Sequence, residues 1–364
     1  MTAALGDLRT SNNWNDKLGL SDEESFQKTS VATATEIALD EKNSEQTFDS
    51  LQVQETAKNS FDFLAAMALP TVFEYFFPPI YQAIWQWLVE NVQKKRDFSQ
   101  LALGIPRGFA KTTLIKLFLL YTILFTEKKF LLVMAENQSK GNAIIADVID
   151  MLNEPNIKQV FGNWNFGAET ERQDLKKFGF RGRNIILMAS TVATVRGINL
   201  KNERPDLMVF DDIQSRVDAE SETISKQIES DMIGTAMKAK SPKGCLFVFI
   251  GNMYPTKHSI LRKLKTNDNW IKFITGGIRE DGTSLWEELQ PIEQLKIEFI
   301  NDLKQGRPEI FFAEVLNDEN ASVNSLLDLT KIPAYDIPED EIHSGNFIII
   351  DPATDKKDSD AVSI

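Results

Sequence analysis

From residue 98 onward the apolar positions of this chain come in short unbroken blocks, and the stretches between them repeat at a helical period. Blocks rich in Val, Ile, Leu and Phe at 100–105, 130–135, 184–189, 206–210, 245–250 and 270–275 predict strands, and helices are expected near 112–125, 143–152 and 221–239. The blocks are continuous rather than alternating, so both faces of these strands are expected to be covered. That is the mark of a mostly parallel sheet flanked by helices, an α/β fold. Upstream, 61–69 reads as a buried helix, Pro78 and Pro79 break the chain, and 80–92 places Ile84, Trp85 and Leu88 on one side of a second helix. Downstream, 291–304 and 308–316 read as helices of a small lid or linker subdomain, Pro333 and Pro338 mark a loop, and 346–364 reads as a strand, an acidic loop and the start of another strand. A lone hairpin cannot bury a core, so this last piece is expected to open a further domain that the chain cuts short. The division expected is a flexible acidic arm at 1–55, an α/β domain at 56–280, the lid or linker at 281–345, and the truncated hairpin at 346–364.

Composition changes that picture little. A single cysteine, Cys245, excludes a disulfide framework and any cysteine-built zinc site. No apolar run is long enough to span a membrane and no secretory signal opens the chain, so no membrane partner is expected. The net charge of −13 argues against a nucleic-acid partner until it is mapped. Residues 1–50 hold ten acids against four bases and residues 318–364 hold eleven against three, which leaves the body near neutral. Basic clusters lie in that body at 94–96, 172–183 and 257–265, a distribution that permits phosphate-backbone contact.

Two blocks end in residues with chemistry. Block 100–105 runs through Pro106-Arg-Gly-Phe-Ala-Lys-Thr-Thr113 into a helix, and block 206–210 ends in Asp211 and Asp212. A nucleoside triphosphate site needs backbone amides and a lysine for the phosphates, a hydroxyl and a carboxylate for Mg²⁺, and a second carboxylate to activate water. These two segments supply all of them. The loop departs from the G-x-x-x-x-G-K-[ST] pattern, because Ala110 precedes the lysine and Ile105 takes the first glycine's place. Gly108 is expected to turn the loop amides toward ATP, with Ala110 and Thr113 in the same cradle. Lys111 is expected to reach the β- and γ-phosphates, and Thr112 with Asp211 to hold Mg²⁺. Asp212 is the candidate general base, or the residue that orients the attacking water. Arg107 is placed to offset transition-state charge, Gln82 to read adenine, and Asn252 to sense the γ-phosphate. Each has a plainer alternative: a loop ion pair for Arg107, a surface helix for Gln82, a loop cap for Asn252. Arg196 is a weaker candidate for action on a neighbouring subunit. Two blocks fall between the loop strand and the Asp-Asp strand, which points to the RecA-like branch of phosphate-loop ATPases rather than the simple mononucleotide fold.

In this order the elements resemble the large terminase subunit of tailed phages, the ATPase that drives DNA into a procapsid. Pro106–Thr113 is similar to that family's arginine-bearing phosphate loop, Leu207–Asp212 to its second motif, and Phe247-Val-Phe-Ile-Gly-Asn-Met253 to its coupling motif, where Thr is more usual than Asn252. Phe347-Ile-Ile-Ile-Asp351 is similar to the first strand of the RNase H-like nuclease domain that follows, with Asp351 at its first metal-binding acid. The resemblance implies a RecA-like ATPase using ATP and Mg²⁺, working in the host cytoplasm as a ring of about five subunits on the portal protein, moving double-stranded DNA and engaging the small terminase subunit. The remaining nuclease acids lie further along in the family, so DNA cleavage is not expected here. The rival readings are a helicase-like ATPase, a nucleotide-locked assembly scaffold, and a nuclease with a regulatory ATPase half.

Overall fold

A computed structural model describes residues 50–318 except 95–96, 167–171, 196–197 and 201. Three helices come first: α1 (Ser50–Asn59), α2 (Phe61–Ala68) and α3 (Pro79–Val92). α1 begins inside the segment expected to be a polar arm, and Ala57 anchors it in the core. Ser60 separates it from α2 and caps the latter, its hydroxyl accepting from the Phe63 amide at 3.2 Å.

Strand and helix then alternate through β1 (Gln100–Gly104), α4 (Lys111–Phe125), β2 (Phe130–Ala135), α5 (Gln138–Asn153), α6 (Pro155–Phe161), β3 (Asn165–Phe166), β4 (Leu175–Phe180), β5 (Arg183–Ser190), β6 (Leu207–Asp211), α7 (Arg216–Glu220), α8 (Glu222–Glu229), β7 (Leu246–Gly251), α9 (Ile260–Thr266) and β8 (Ile271–Ile274). α8 runs on through a π-helical turn, Ser230–Ala236, and a 3₁₀ turn, Met237–Ala239, so the helix expected over 221–239 is one rod of three windings. Two further helices, α10 (Ile292–Lys304) and α11 (Pro308–Glu314), close the described part.

All eight strands form one sheet in the order β3-β4-β5-β2-β6-β7-β1-β8. Pairing is parallel from β5 to β8 and antiparallel at β3–β4 and β4–β5. Side chains alternate between two cores: in β2, Leu131 and Val133 pack on the face that holds α2, α3 and α4, whereas Phe130, Leu132 and Met134 pack with Met232, Ala236 and α9 on the other. This double cover is why β2, β6 and β7 carry no polar alternation. β7 lies between β1, which leads into the 106–113 loop, and β6, which ends in Asp211 and Asp212, the RecA-like arrangement.

One expectation needs correction. Four strands, not two, separate β1 from β6, because an antiparallel β3–β4 extension was missed. β4 reads Leu-Lys-Lys-Phe-Gly-Phe and is partly exposed near the sheet edge, so its apolar pattern is diluted. The basic cluster at 172–183 belongs largely to this extension. Arg172 pairs with Asp174 at 2.6 Å, and Arg183 donates to the carbonyls of Ile123 and Lys128 and to that of Thr126 at the C-terminal end of α4. Among the described residues no helix is long and apolar enough to cross a membrane.

Candidate functional site

β1 delivers the chain into a tight loop that makes left-handed turns even where alanine stands in the glycine position of the pattern. Gly108 has φ 81° and Ala110 has φ 56°, so two residues in the left-handed region turn the backbone before α4 starts at Lys111. The loop is held from outside by main-chain and side-chain bonds. The Arg107 amide donates to the Glu314 carbonyl at 2.8 Å, and the buried Tyr81 hydroxyl on α3 donates to the Phe109 carbonyl. Burial pushes the Tyr81 phenol far above its ordinary range, so it stays a donor.

Three adjacent strand ends converge on Lys111. Its ammonium, buried to 8 % exposure, donates to Asp212 Oδ1 at 3.1 Å and to Asn252 Oδ1. Asp212 follows β6 and Asn252 follows β7, so the sequence elements 107–113, 211–212 and 252 meet in space. Asp212 takes φ 44°, its amide still bonded to the Ile250 carbonyl at 2.9 Å, a turn that swings its side chain toward the lysine while Asp211 stays buried. Asp211 Oδ1 has no hydrogen-bond partner. Burial first, and then the neighbouring Asp212 charge, push Asp211 up to about 7, with Lys111, Lys116 and Lys140 pulling the other way.

A buried carboxylate oxygen without a partner, on Asp211, and a hydroxyl in the first turn of α4, on Thr112, are donor types that a hard cation takes. Mg²⁺ takes one or two carboxylates and leaves its other positions to phosphate and water. Among the described residues no three His, Cys, Asp or Glu side chains gather as a metal cage. Asp211 and Thr112 fit the ion.

Other expected residues are placed differently. The Gln82 amide nitrogen donates to Asp62 Oδ2 at 2.7 Å, joining α3 to α2, while Asp62 Oδ1 accepts the Phe77 amide. The Arg107 side chain is exposed and has no ion-pair partner among the described residues. Thr112 and Thr113 are half-buried in the first turn of α4. Arg196 and Asp351 lie outside the described residues.

Sequence reasoning missed three residues. Tyr81, next to Gln82, supports the loop. Glu314 accepts from Asn252 Nδ2 through Oε2. Asn317 fixes the turn after β7, accepting the Met253 amide at 3.0 Å and donating to the Thr275 carbonyl at 2.9 Å. Only Tyr81 had a signal, on a helix already singled out for its neighbour.

No sequence-family pattern and no curated protein matches the chain. Solved structures do match. The likeness is to phage large terminases. The large terminase of bacteriophage HK97 is 16% identical over 74% of this chain and 55% of its own, with a TM-score of 0.48. That of a thermophilic bacteriophage, in complex with ADP, is 15% identical over 67% of this chain and 54% of its own, with a TM-score of 0.42. The ATPase domain of the Thermus phage P74-26 large terminase is 10% identical over 71% of this chain and 97% of its own, with a TM-score of 0.45. The chain thus spans about half the length of the first two.

Proposed function

We propose that this chain is an ATP-hydrolysing motor subunit that drives double-stranded viral DNA into a procapsid. The observation that carries the nucleotide half is the convergence of Lys111, Asp212 and Asn252 from three adjacent strand ends beside an unpartnered, buried Asp211 oxygen. The DNA half rests on the ordered set of motifs that resembles terminases. It also draws on the matched proteins being large terminases, one of them in complex with ADP.

In this reading the amides after Gly108, from Ala110 to Thr113, cradle the phosphates at the positive end of α4. Lys111 donates to the β- and γ-phosphate oxygens. Thr112 and Asp211 would hold Mg²⁺, which when bound would offset the charge developing on the phosphates. Asp212 accepts hydrogen bonds from the attacking water and aligns it, and Lys111, 3.1 Å away, holds the Asp212 side chain in place for that task. Asn252 reports the γ-phosphate, and Arg107, solvent-facing on the loop, covers the leaving charge. Partners on this reading are the DNA, the portal protein, the small terminase subunit and further copies of the chain in a ring, with 281–345 as the lid or linker.

Steady-state ATP hydrolysis with Mg²⁺ tests the nucleotide half. Lys111→Ala and Asp212→Asn are each expected to lower turnover by about a hundredfold or more, with ATP binding retained in Asp212→Asn. Equal phosphate release from all three proteins overturns the assignment. Acceleration of turnover by double-stranded DNA, weakening steeply with salt, is the expected sign of the DNA half.

A further inference from the structure

Glu314 is the last residue of α11, and it touches the candidate site twice. Its carbonyl accepts the Arg107 amide of the phosphate loop, and its carboxylate accepts the side-chain amide of Asn252. Asn252 in turn accepts from Lys111, which also donates to Asp212. A continuous chain of hydrogen bonds thus runs from Asp212 through Lys111 and Asn252 to a helix outside the sheet. The far end of α11 is tied down as well: the buried Glu309 pairs with Arg307 and, at 3.4 Å, with Arg216 of α7, the helix that follows the Asp-Asp turn.

We propose that Glu314 is a positioning residue that couples the phosphate site to α10 and α11. This rests on the nucleotide reading above. Lys111 has three donors, and two are committed to side chains. The third serves one phosphate oxygen, but bridging the β- and γ-phosphates takes a second donor, and withdrawing it from Asn252 leaves Asn252 Oδ1 without one. Asn252 is buried to 8 % exposure, and an unmatched amide oxygen there is unfavourable enough that the side chain must turn. Turning withdraws Nδ2 from Glu314. The incoming phosphates also bring negative charge toward the Glu314 carboxylate, so release is favoured more by a triphosphate than by a diphosphate. Once the side-chain grip is lost, α11 keeps only its main-chain hold on the loop, and its attachment changes with the phosphate count.

The test uses the full chain with Glu314→Ala, which removes the acceptor, and Glu314→Gln, which keeps an amide oxygen in place. Two readouts are taken: kcat and KM for ATP, and amide hydrogen exchange over 308–316 with ADP or with a non-hydrolysable ATP analogue. In the native chain, exchange over 308–316 is expected to be faster with the triphosphate analogue than with ADP. Glu314→Ala is expected to lower kcat by about tenfold or more without raising KM, and to abolish the difference between the two nucleotides. Glu314→Gln is expected to restore both in large part. Native kcat and a preserved exchange difference in Glu314→Ala overturn the coupling and leave the nucleotide reading standing. A lower kcat with the exchange difference intact overturns it equally, because the residue is then merely structural. If the native chain binds neither nucleotide, the nucleotide reading fails and this proposal falls with it.

Discussion

Ala110 occupies a backbone conformation that disfavours any side chain. At φ 56° and ψ 25° a Cβ costs about 1–2 kcal/mol relative to glycine, while glycine's freedom in the unfolded chain costs about 0.5–1 kcal/mol. Ala110→Gly is therefore expected to gain about 0.5–1 kcal/mol in thermal or denaturant unfolding and to keep its hydrolytic activity. A less stable variant would show that the loop does not hold this turn. Asp211 makes the opposite trade. Its buried, unpartnered oxygen burdens the folded chain, so Asp211→Asn is expected to unfold about 1–2 kcal/mol later without metal. The same variant should lose Mg²⁺-dependent hydrolysis and any stabilisation by Mg²⁺ and nucleotide. The meeting of Lys111 with the Asp211-Asp212 turn was legible because both segments follow the ends of unbroken apolar blocks. Glu314 was not, because a glutamate at a helix end carries no pattern until the fold sets it against Asn252.

Among the elements, the loop after β8 is where α11 and the 106–113 loop are pressed together. A Cβ on Gly277 would lie 2.8 Å from the Phe109 ring and 3.1 Å from the Val315 carbonyl, and the Gly277 amide donates to that carbonyl at 2.7 Å. Gly277→Ala is expected to cost about 1–3 kcal/mol and, by displacing Phe109, to weaken ATP binding. Titrating nucleotide against both proteins checks it, and equal affinity would mean that Phe109 yields without moving the loop. Strands buried on both faces announced themselves as unbroken apolar blocks. β3 and β4 did not, because β3 is two residues long and β4 mixes lysines into its exposed side. The polar N-terminal stretch hid the start of α1 in the same way, since only buried Ala57 and half-buried Val53 among its apolar side chains, with a bond from the Gln54 side-chain amide to the Val160 carbonyl of α6 at 2.8 Å, mark its docked face.

For the molecule as a whole, the two ends of the sheet carry different titrations. At the amino ends a cavity of about 540 Å³ is lined by Lys128, Lys129, Arg204, Asp206 and Lys243 among others. Burial pushes Asp206 up to about 6, even though its oxygens accept the Lys129 and Phe130 amides at 2.9 and 3.1 Å. The folded chain therefore holds a proton that the unfolded chain has released between about pH 4 and pH 6. Stability from this group falls as pH rises through that window and is level above it. Asp206→Asn is expected to remove a slope worth on the order of 2–3 kcal/mol, read as the difference between the two proteins' unfolding free energies at pH 4 and pH 7. An unchanged slope would assign the pH dependence to other groups. The strand order has a consequence of its own for synthesis. β1 is flanked by β7 and β8, more than 140 residues further along the chain, and by no strand made before them. A nascent chain on the ribosome therefore carries Lys111 for most of its elongation with nothing to hold the strand beneath it. Nucleotide capture by the growing polypeptide should begin abruptly, only after β8 and then α11 have emerged from the exit tunnel.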